Sequence, residues 1–146
     1  MDFHTLCIGC RTYRRFERKE IPEEILTELL ENARVANSVM NGQVLRYVLV
    51  KSQETVKKLQ PYFHFAAALP KELGQPKEGE QPTAFIILCT EGRESPWTDM
   101  DIGIAVRTMN LNAYNHGVGS CILGNVEFES GSSLMKHPDA LYEVCA

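Results

Sequence analysis

Thr83-Ala84-Phe85-Ile86-Ile87-Leu88-Cys89-Thr90 decides the fold class. The run carries no charge and is apolar at nearly every position, so neither of its faces can meet water. It is short, and it follows Pro82. Such a segment predicts a strand over residues 83–90 that is covered on both sides. Both covers have to come from elsewhere in the chain. Downstream, Ile102, Ala105, Val106, Met109 and Ala113 recur at helical spacing and predict a helix over 99–116, with Gly117 as its stop. Upstream, Ile25, Leu26, Leu29, Leu30, Ala33 and Ala36 form a second helical stripe behind Pro22, Glu23 and Glu24, ending near Asn37-Ser38. Residues 46–51, 118–123 and 142–146 read as further strands. Short helices are predicted over 2–10 and between Ser52 and Pro61. Residues 69–82, with three prolines and two glycines, read as a long loop. The Ser-Gly-Ser-Ser interior of 127–137 is poor helix material. Helices and strands interleave, which makes the class mixed α and β with a layered core.

The chain of 146 residues is long enough for one domain with a full core, and residues 1–146 are read as a single unit. Apolar residues at 44% and charged residues at 23% exclude intrinsic disorder and fibrous classes. No uncharged apolar run is long enough to span a bilayer, and Met1-Asp2-Phe3-His4 lacks the pattern of a secretory signal. The expectation is a cytoplasmic protein with no membrane partner. A net charge of −4 argues against general nucleic-acid binding. That charge is uneven: Arg11, Arg14, Arg15, Arg18 and Lys19 against Glu17 sum to +4, leaving −8 elsewhere. A basic cluster in an acidic chain either has a local anion or is a solvated loop.

The five cysteines are an odd number and are spread through the chain, which disfavours a disulfide scaffold. Cys7-Ile8-Gly9-Cys10 has the spacing of half a zinc site, but no second pair of ligands follows it. Phe3, Leu6, Cys7 and Cys10 instead share a helical stripe behind Asp2, so the thiols are expected in the core.

Three constellations could carry chemistry. Arg11, Thr12 and Arg14 lie where a helix gives way to extended chain. Guanidinium forks, a hydroxyl and free backbone N–H groups make an oxyanion shell there. Alternation puts Thr12, Arg14 and Phe16 on one face. A solvated charge run explains the same residues equally well. The loop Asn37-Ser38-Val39-Met40-Asn41-Gly42-Gln43 offers amides that both donate and accept, suited to a heterocycle edge or a polyol, or else it is an ordinary polar turn. Asp99 and Asp101 open a helix, where an N-cap and a dipole-favoured acid are the simple reading. That helix leads into Gly117-Val118-Gly119-Ser120-Cys121-Ile122-Leu123-Gly124, whose glycines let another group approach the backbone. Cys121 with His116 as a nucleophile–base pair has no supporting geometry across a helix end. No Walker-type loop is present, and no Gly-rich dinucleotide fingerprint follows a strand.

In this order the segments resemble the nitroreductase family of flavin-dependent oxidoreductases. The resemblance rests on Arg11-Thr12-Tyr13-Arg14-Arg15-Phe16, on Ile21-Pro22-Glu23-Glu24-Ile25-Leu26, and on the loop 37–43. It continues with Asp101-Ile102-Gly103 and the glycine-rich run 117–124, and so covers almost the whole chain. It implies an α+β layered fold, with a central, mostly antiparallel sheet flanked by helices, and a homodimer with FMN at the interface. Arg11, Thr12 and Arg14 would hold the phosphate. Ser38, Asn41 and Gln43, reaching from the second subunit, would meet the ribityl chain and ring. Leu123 and Gly124 would lie along the isoalloxazine. The implied activity passes hydride from NAD(P)H through the flavin to a small acceptor such as a nitroaromatic or a quinone, with no catalytic side chain. NADH and NADPH stay open as donors. A relative that binds flavin or another ligand without turnover is the alternative. Asn37, Cys10 and Val44-Leu45 depart from the family's usual Pro, Arg and Pro-Trp. Family members also continue past the last strand into a partner-clasping tail, whereas this sequence stops within that strand.

Overall fold

A computed structural model describes residues 1–66, 68–90, 93, 95–124 and 142–145. Among them are five helices, α1 (Phe3–Gly9), α2 (Glu23–Val35), α3 (Gln53–Leu59), α4 (Lys71–Gly74) and α5 (Thr98–Asn115). The four strands are β1 (Arg46–Val50), β2 (Phe85–Cys89), β3 (Cys121–Leu123) and β4 (Tyr142–Cys145). They form one sheet in the order β1-β2-β4-β3, and every pairing is antiparallel. The expected α+β architecture is the one observed.

The decisive apolar run becomes β2, which lies inside the sheet between β1 and β4. Successive side chains of a strand point to opposite faces. Ile86 and Leu88, with Ala84, therefore meet Leu26, Leu29 and Ala33 of α2 and Ile102, Ala105, Val106 and Met109 of α5. Phe85 and Ile87 turn to the other face, against Val56 and Leu59 of α3, Phe63, Phe65, Cys121 and Leu123. The Phe63 and Phe85 rings pack with centroids 4.8 Å apart. Each of these large side chains stabilises the fold by about 1.5–3 kcal/mol on burial. No helix among the described residues is long and apolar enough to cross a membrane.

Most local signals act as expected. Asp2 caps α1 by accepting from the Thr5 N–H at 3.1 Å. Glu23 and Glu24 occupy the first turn of α2. Gly117 follows α5 with φ +74°, a left-handed turn that glycine adopts without strain. Three expectations need correction. The loop 69–82 contains a helical turn, α4, because the Pro70 carbonyl accepts from both Leu73 and Gly74 N–H groups. Phe3 does not join the core and is 72% exposed, with Leu6 and Cys7 half-buried and only Cys10 buried. The reason is geometric: α1 docks through its C-terminal end, where Gly9 packs on Tyr114 and Cys10 reaches Asn110, so its first turn projects outward. Asp99 is not the N-cap of α5; that position belongs to Trp97, and both aspartates lie in the first turn. The expectation for 127–137 lies outside the described residues.

Candidate functional site

The basic segment runs beside the entry to β3. Thr12 bridges Ser120 in parallel, and the Tyr13 N–H donates to the Ser120 carbonyl at 3.0 Å. The Ser120 hydroxyl in turn donates to Asn110 Oδ1 of α5 at 2.6 Å, with Ser120 and Asn110 both buried. Cys10 is fixed from the same helix: its thiol donates to the Asn110 carbonyl and accepts from Arg107 Nη1, each at 3.5 Å. Alternation along the segment holds. Arg14 Nε donates to the Phe65 carbonyl at 2.8 Å, and Phe16 packs edge-on against the Phe65 ring at 6.2 Å. Tyr13 turns the other way and lies over Gly119, where a Cβ would stand 3.0 Å from the Tyr13 ring. Glycine at 119 is what lets this segment lie against β3.

Charge pairing separates the five basic residues. Arg15 meets Glu80 at 3.4 Å and the carbonyls of Leu73 and Gln75. Lys19 is paired with Glu17, and Arg18 contacts the Gln53 amide at 3.4 Å. Arg11 and Arg14 have no carboxylate partner among the described residues; Arg11 reaches only the carbonyl of Cys10, at 3.1 Å. Arg11, Thr12 and Arg14 are all exposed. Two guanidiniums and a hydroxyl from one short exposed segment beside β3 thus have no carboxylate partner among the described residues, and each could contact an anion.

The amide loop forms a second locus. Residues Val39–Asn41 make a 3₁₀ turn, and Met40, Asn41 and Gln43 all have positive φ, at +52°, +53° and +48°. Non-glycine residues rarely adopt this region, and clusters of them are held by surrounding structure. Here the Gln43 N–H donates to Ser38 Oγ at 3.1 Å, and the Val39 N–H donates to Asp101 Oδ1 at 2.7 Å. Asp101 is buried, and together with desolvation its charge holds the Tyr47 phenol above the ordinary tyrosine value, desolvation being the larger cause. Ser38, Gln43, Asp101 and Tyr47 line one cavity of about 370 Å³.

These two loci lie at opposite ends of one helix. Asp101 and Asn110 are nine residues apart on α5 (110 − 101), or about 14 Å at 1.5 Å per residue. No hydrogen bond among the described residues joins Arg11, Thr12 or Arg14 to Ser38, Asn41 or Gln43. Leu123 and Gly124 lie at the end of β3: the Leu123 side chain is buried in the core and the residue is in register with Glu143 of β4, and Gly124 is exposed with no protein atom within 4 Å of a Cβ position. The sequence reading missed Asp101 as the anchor of the amide loop, along with the Asn110–Ser120 bond. One signal was present: Asp101, Ala105, Met109 and Ala113 share the i, i+4 stripe, which puts a carboxylate on the buried face of α5.

The thiol-enzyme arrangement is absent. His116 contacts Glu28 at 3.2 Å, whereas Cys121 is buried and its thiol approaches only the Ile122 carbonyl. Burial pushes that thiol up to about 11, against a smaller opposing effect of the Arg14 charge. Cys7 and Cys10 are free thiols, and no metal-ligating cluster occurs among the described residues.

Known proteins share this architecture. A nitroreductase from Bacteroides fragilis solved with bound FMN superposes with a TM-score of 0.75 at 21% identity, over 99% of this chain and 87% of that one. A nitroreductase family protein from Clostridium difficile gives 0.76 at 21% identity, over 99% of this chain and 83% of that one. In sequence, the chain is 26% identical over 117 residues to a Methanothermobacter thermautotrophicus protein named "Putative NADH dehydrogenase/NAD(P)H nitroreductase". That match covers 78% of this chain and 56% of the relative; for an Archaeoglobus fulgidus protein of the same name, at 28% identity, the shares are 78% and 62%. The chain therefore spans less than two thirds of the length of these curated relatives. Residues 9–145 match the sequence pattern of the Nitroreductase family from one end of the fold to the other, and the chain belongs to that family.

Proposed function

We propose that the chain is an FMN-dependent oxidoreductase that passes hydride or electrons from NAD(P)H to a small acceptor such as a nitroaromatic or a quinone. One observation carries this reading: Arg11 and Arg14 have neither a carboxylate partner nor, as Arg18 has in Gln53, a side-chain partner among the described residues, and they flank the exposed Thr12. The donor set suits FMN. Two guanidiniums and a hydroxyl match a phosphate dianion, and the open backbone at Gly124 leaves room for a flat ring beside β3. Bound FMN would supply the hydride-accepting and hydride-donating chemistry. Arg11, Thr12 and Arg14 bind its phosphate, while the backbone of Leu123 and Gly124 borders the ring. Ser38, Asn41 and Gln43, from a second copy of the chain, donate to and accept from its polyol and ring edge. No side chain has to move a proton, and the Cys121 thiol stays protonated at neutral pH. Homodimer formation is supported by large apolar side chains left in water, among them Phe3 at 72% and Met40 at 86% exposure.

The test is an anaerobic titration of flavin-loaded protein with NADH and with NADPH. Bleaching of the flavin band by either donor is the expected result. A yellow protein that neither donor bleaches overturns the reductase reading and leaves a flavin binder. Replacing Arg11 and Arg14 together by Ala removes two charge-assisted contacts of about 1.5–3 kcal/mol each. Flavin affinity should then fall roughly 100- to 10,000-fold while the circular dichroism spectrum is retained.

A further inference from the structure

The cavity behind the amide loop has a mouth that the flavin reading does not use. Its buried walls come from Ala33, Ala105 and Asp101, and its exposed rim carries the guanidiniums of Arg34 and Arg93, with the half-buried Arg46 between wall and rim. Three separate elements bring these arginines together. Arg34 lies in the last turn of α2, held by Glu31 through two bonds of 2.6 and 2.7 Å. Arg46 opens β1, and its Nη1 donates to the carbonyls of Gln43 and Leu45 at 3.1 and 2.9 Å, which ties it to the amide loop. Arg46 is the register partner of Cys89, and the Arg93 N–H donates to the Thr90 carbonyl at 3.0 Å, which keeps Arg93 at the same end of the sheet. The Arg93 side chain has no hydrogen bond or ion pair among the described residues.

Arg34, Arg46 and Arg93 line this one cavity in a chain whose net charge is −4, and Asp101 is the carboxylate among its described lining residues. The Asp101 carboxylate is buried and occupied by the Val39 N–H, so the charge presented to an entering ligand is that of the rim. A volume of about 370 Å³ admits a ring with one substituent or the phosphate-bearing end of a nucleotide.

We propose that this arginine-rimmed cavity binds an anionic group, carboxylate or phosphate, carried by one of the redox substrates, and so selects anionic substrates over their neutral counterparts. The inference rests on the reading that the amide loop faces the flavin. Two sources share this chemistry: a carboxylate on the acceptor, or the additional phosphate that distinguishes NADPH from NADH.

The experiment compares kcat/KM for 4-nitrobenzoate over nitrobenzene, and for NADPH over NADH, in wild-type flavin-loaded protein and in Arg93→Ala, Arg93→Glu and Arg93→Lys. In the arm that carries the anion, the ratio should fall roughly tenfold in Arg93→Ala and further in Arg93→Glu, and recover in Arg93→Lys. The wild-type preference should also shrink as salt is raised. Ratios that stay within about twofold of wild type in both arms, across all three variants, overturn the proposal. Calorimetric binding of 4-nitrobenzoate and of NADPH to the same proteins separates this proposal from the redox reading. If no donor bleaches the flavin but binding is lost in Arg93→Glu, the anion site stands and the reductase reading fails. Binding unchanged in Arg93→Glu, or absent in wild type, sinks the anion site itself.

Discussion

Replacing Asp101 tests whether the amide loop is held by one buried carboxylate. Met40, Asn41 and Gln43 each sit in the left-handed region, at a cost of roughly 1–2 kcal/mol per residue, with Asn41 paying least. The loop's strain is therefore about 3–5 kcal/mol. Its ties to the rest of the molecule are few. The bond from the Val39 N–H to Asp101 is 2.7 Å long and charge-assisted, worth about 1.5–3 kcal/mol. The Gln43 N–H to Ser38 bond and the turn bonds Asn41–Ser38 and Gly42–Val39 lie inside the loop and add about 1 kcal/mol each. Val39 is only half-buried, so water can reach its N–H once the carboxylate is gone. Asp101→Ala should then cost about 2 kcal/mol, a fall in Tm of roughly 4–8 °C for a chain of this size. Asp101→Asn retains an acceptor oxygen without the charge and should cost about half as much. Urea unfolding measures the stability, and amide hydrogen exchange at Val39 and Gln43 reports whether the loop itself has been released. A second readout is the Tyr47 titration followed by ultraviolet difference absorbance. Both variants remove the Asp101 charge, so the phenol should titrate lower than in wild type, yet stay above its ordinary value because burial, the larger cause, remains. Wild-type stability together with unchanged Val39 protection in Asp101→Ala would refute the reasoning.

Three further outcomes follow from single sites. Gly119→Ala places a methyl 3.0–3.2 Å from Tyr13 Cβ and ring atoms, so it should destabilise by about 1–3 kcal/mol and weaken flavin retention by displacing the basic segment; a neutral effect on both would mean that Tyr13 swings aside freely. Alkylation at neutral pH should label Cys7, which is half-buried, well before Cys121, whose thiol burial pushes to about 11; equal rates in peptide mapping would contradict the packing around β3. Asp2 is held below the ordinary aspartate value of 3.8, first by the Thr5 hydroxyl bond and then by the Thr5 N–H. Because its folded value is depressed, its capping contribution is fully present above that ordinary value and is lost as pH falls through the lowered one. Thr5 amide protection should follow that course in wild type and show no such step in Asp2→Ala.

Much of this fold was readable because its strongest signals are local and redundant. Between Thr83 and Thr90 the run has no polar position to turn to water, so it reads as an internal strand, and the stripes of α2 and α5 supplied the cover for one face. What escaped depended on where elements dock. Phe3 and Cys10 share one helical stripe, yet they differ in burial because only the far end of α1 touches α5. The turn of α4 rests on two bonds to the Pro70 carbonyl in a stretch whose composition reads as loop. At the candidate site, Arg11 and Arg14 were named from residue type and alternation. Sequence could not separate them from Arg15 and Arg18, because the difference lies in Glu80 and Gln53 arriving from elsewhere in the chain, whereas Lys19 pairs with Glu17 inside the segment. Asp101 is the first-turn acid that the sequence suggested, but its anchoring of the amide loop was not legible because its partner, Val39, is 62 residues away.

The separation of the two loci along α5 bears on how many chains make one site. The proposed phosphate-binding segment lies against Ser120, which Asn110 of α5 holds, and the amide loop is anchored at Asp101, about 14 Å from Asn110 along the helix. If each flavin takes its phosphate contacts from one chain and its amide contacts from a second, damage to either locus should be complemented in trans. Arg14→Ala and Gln43→Ala homodimers would each carry two impaired sites. After unfolding and co-refolding at equal concentration, about half the dimers should be mixed, and in a two-fold assembly each mixed dimer holds one site with both changes and one with neither. Flavin binding and reductase activity should therefore recover to about a quarter of wild type, against near zero for either variant alone. Were both loci to serve the same ligand within one chain, every site in every mixture would remain impaired. No recovery, with mixed dimers demonstrated by native mass spectrometry, would place the whole site in a single subunit and remove Ser38, Asn41 and Gln43 from the partner's flavin.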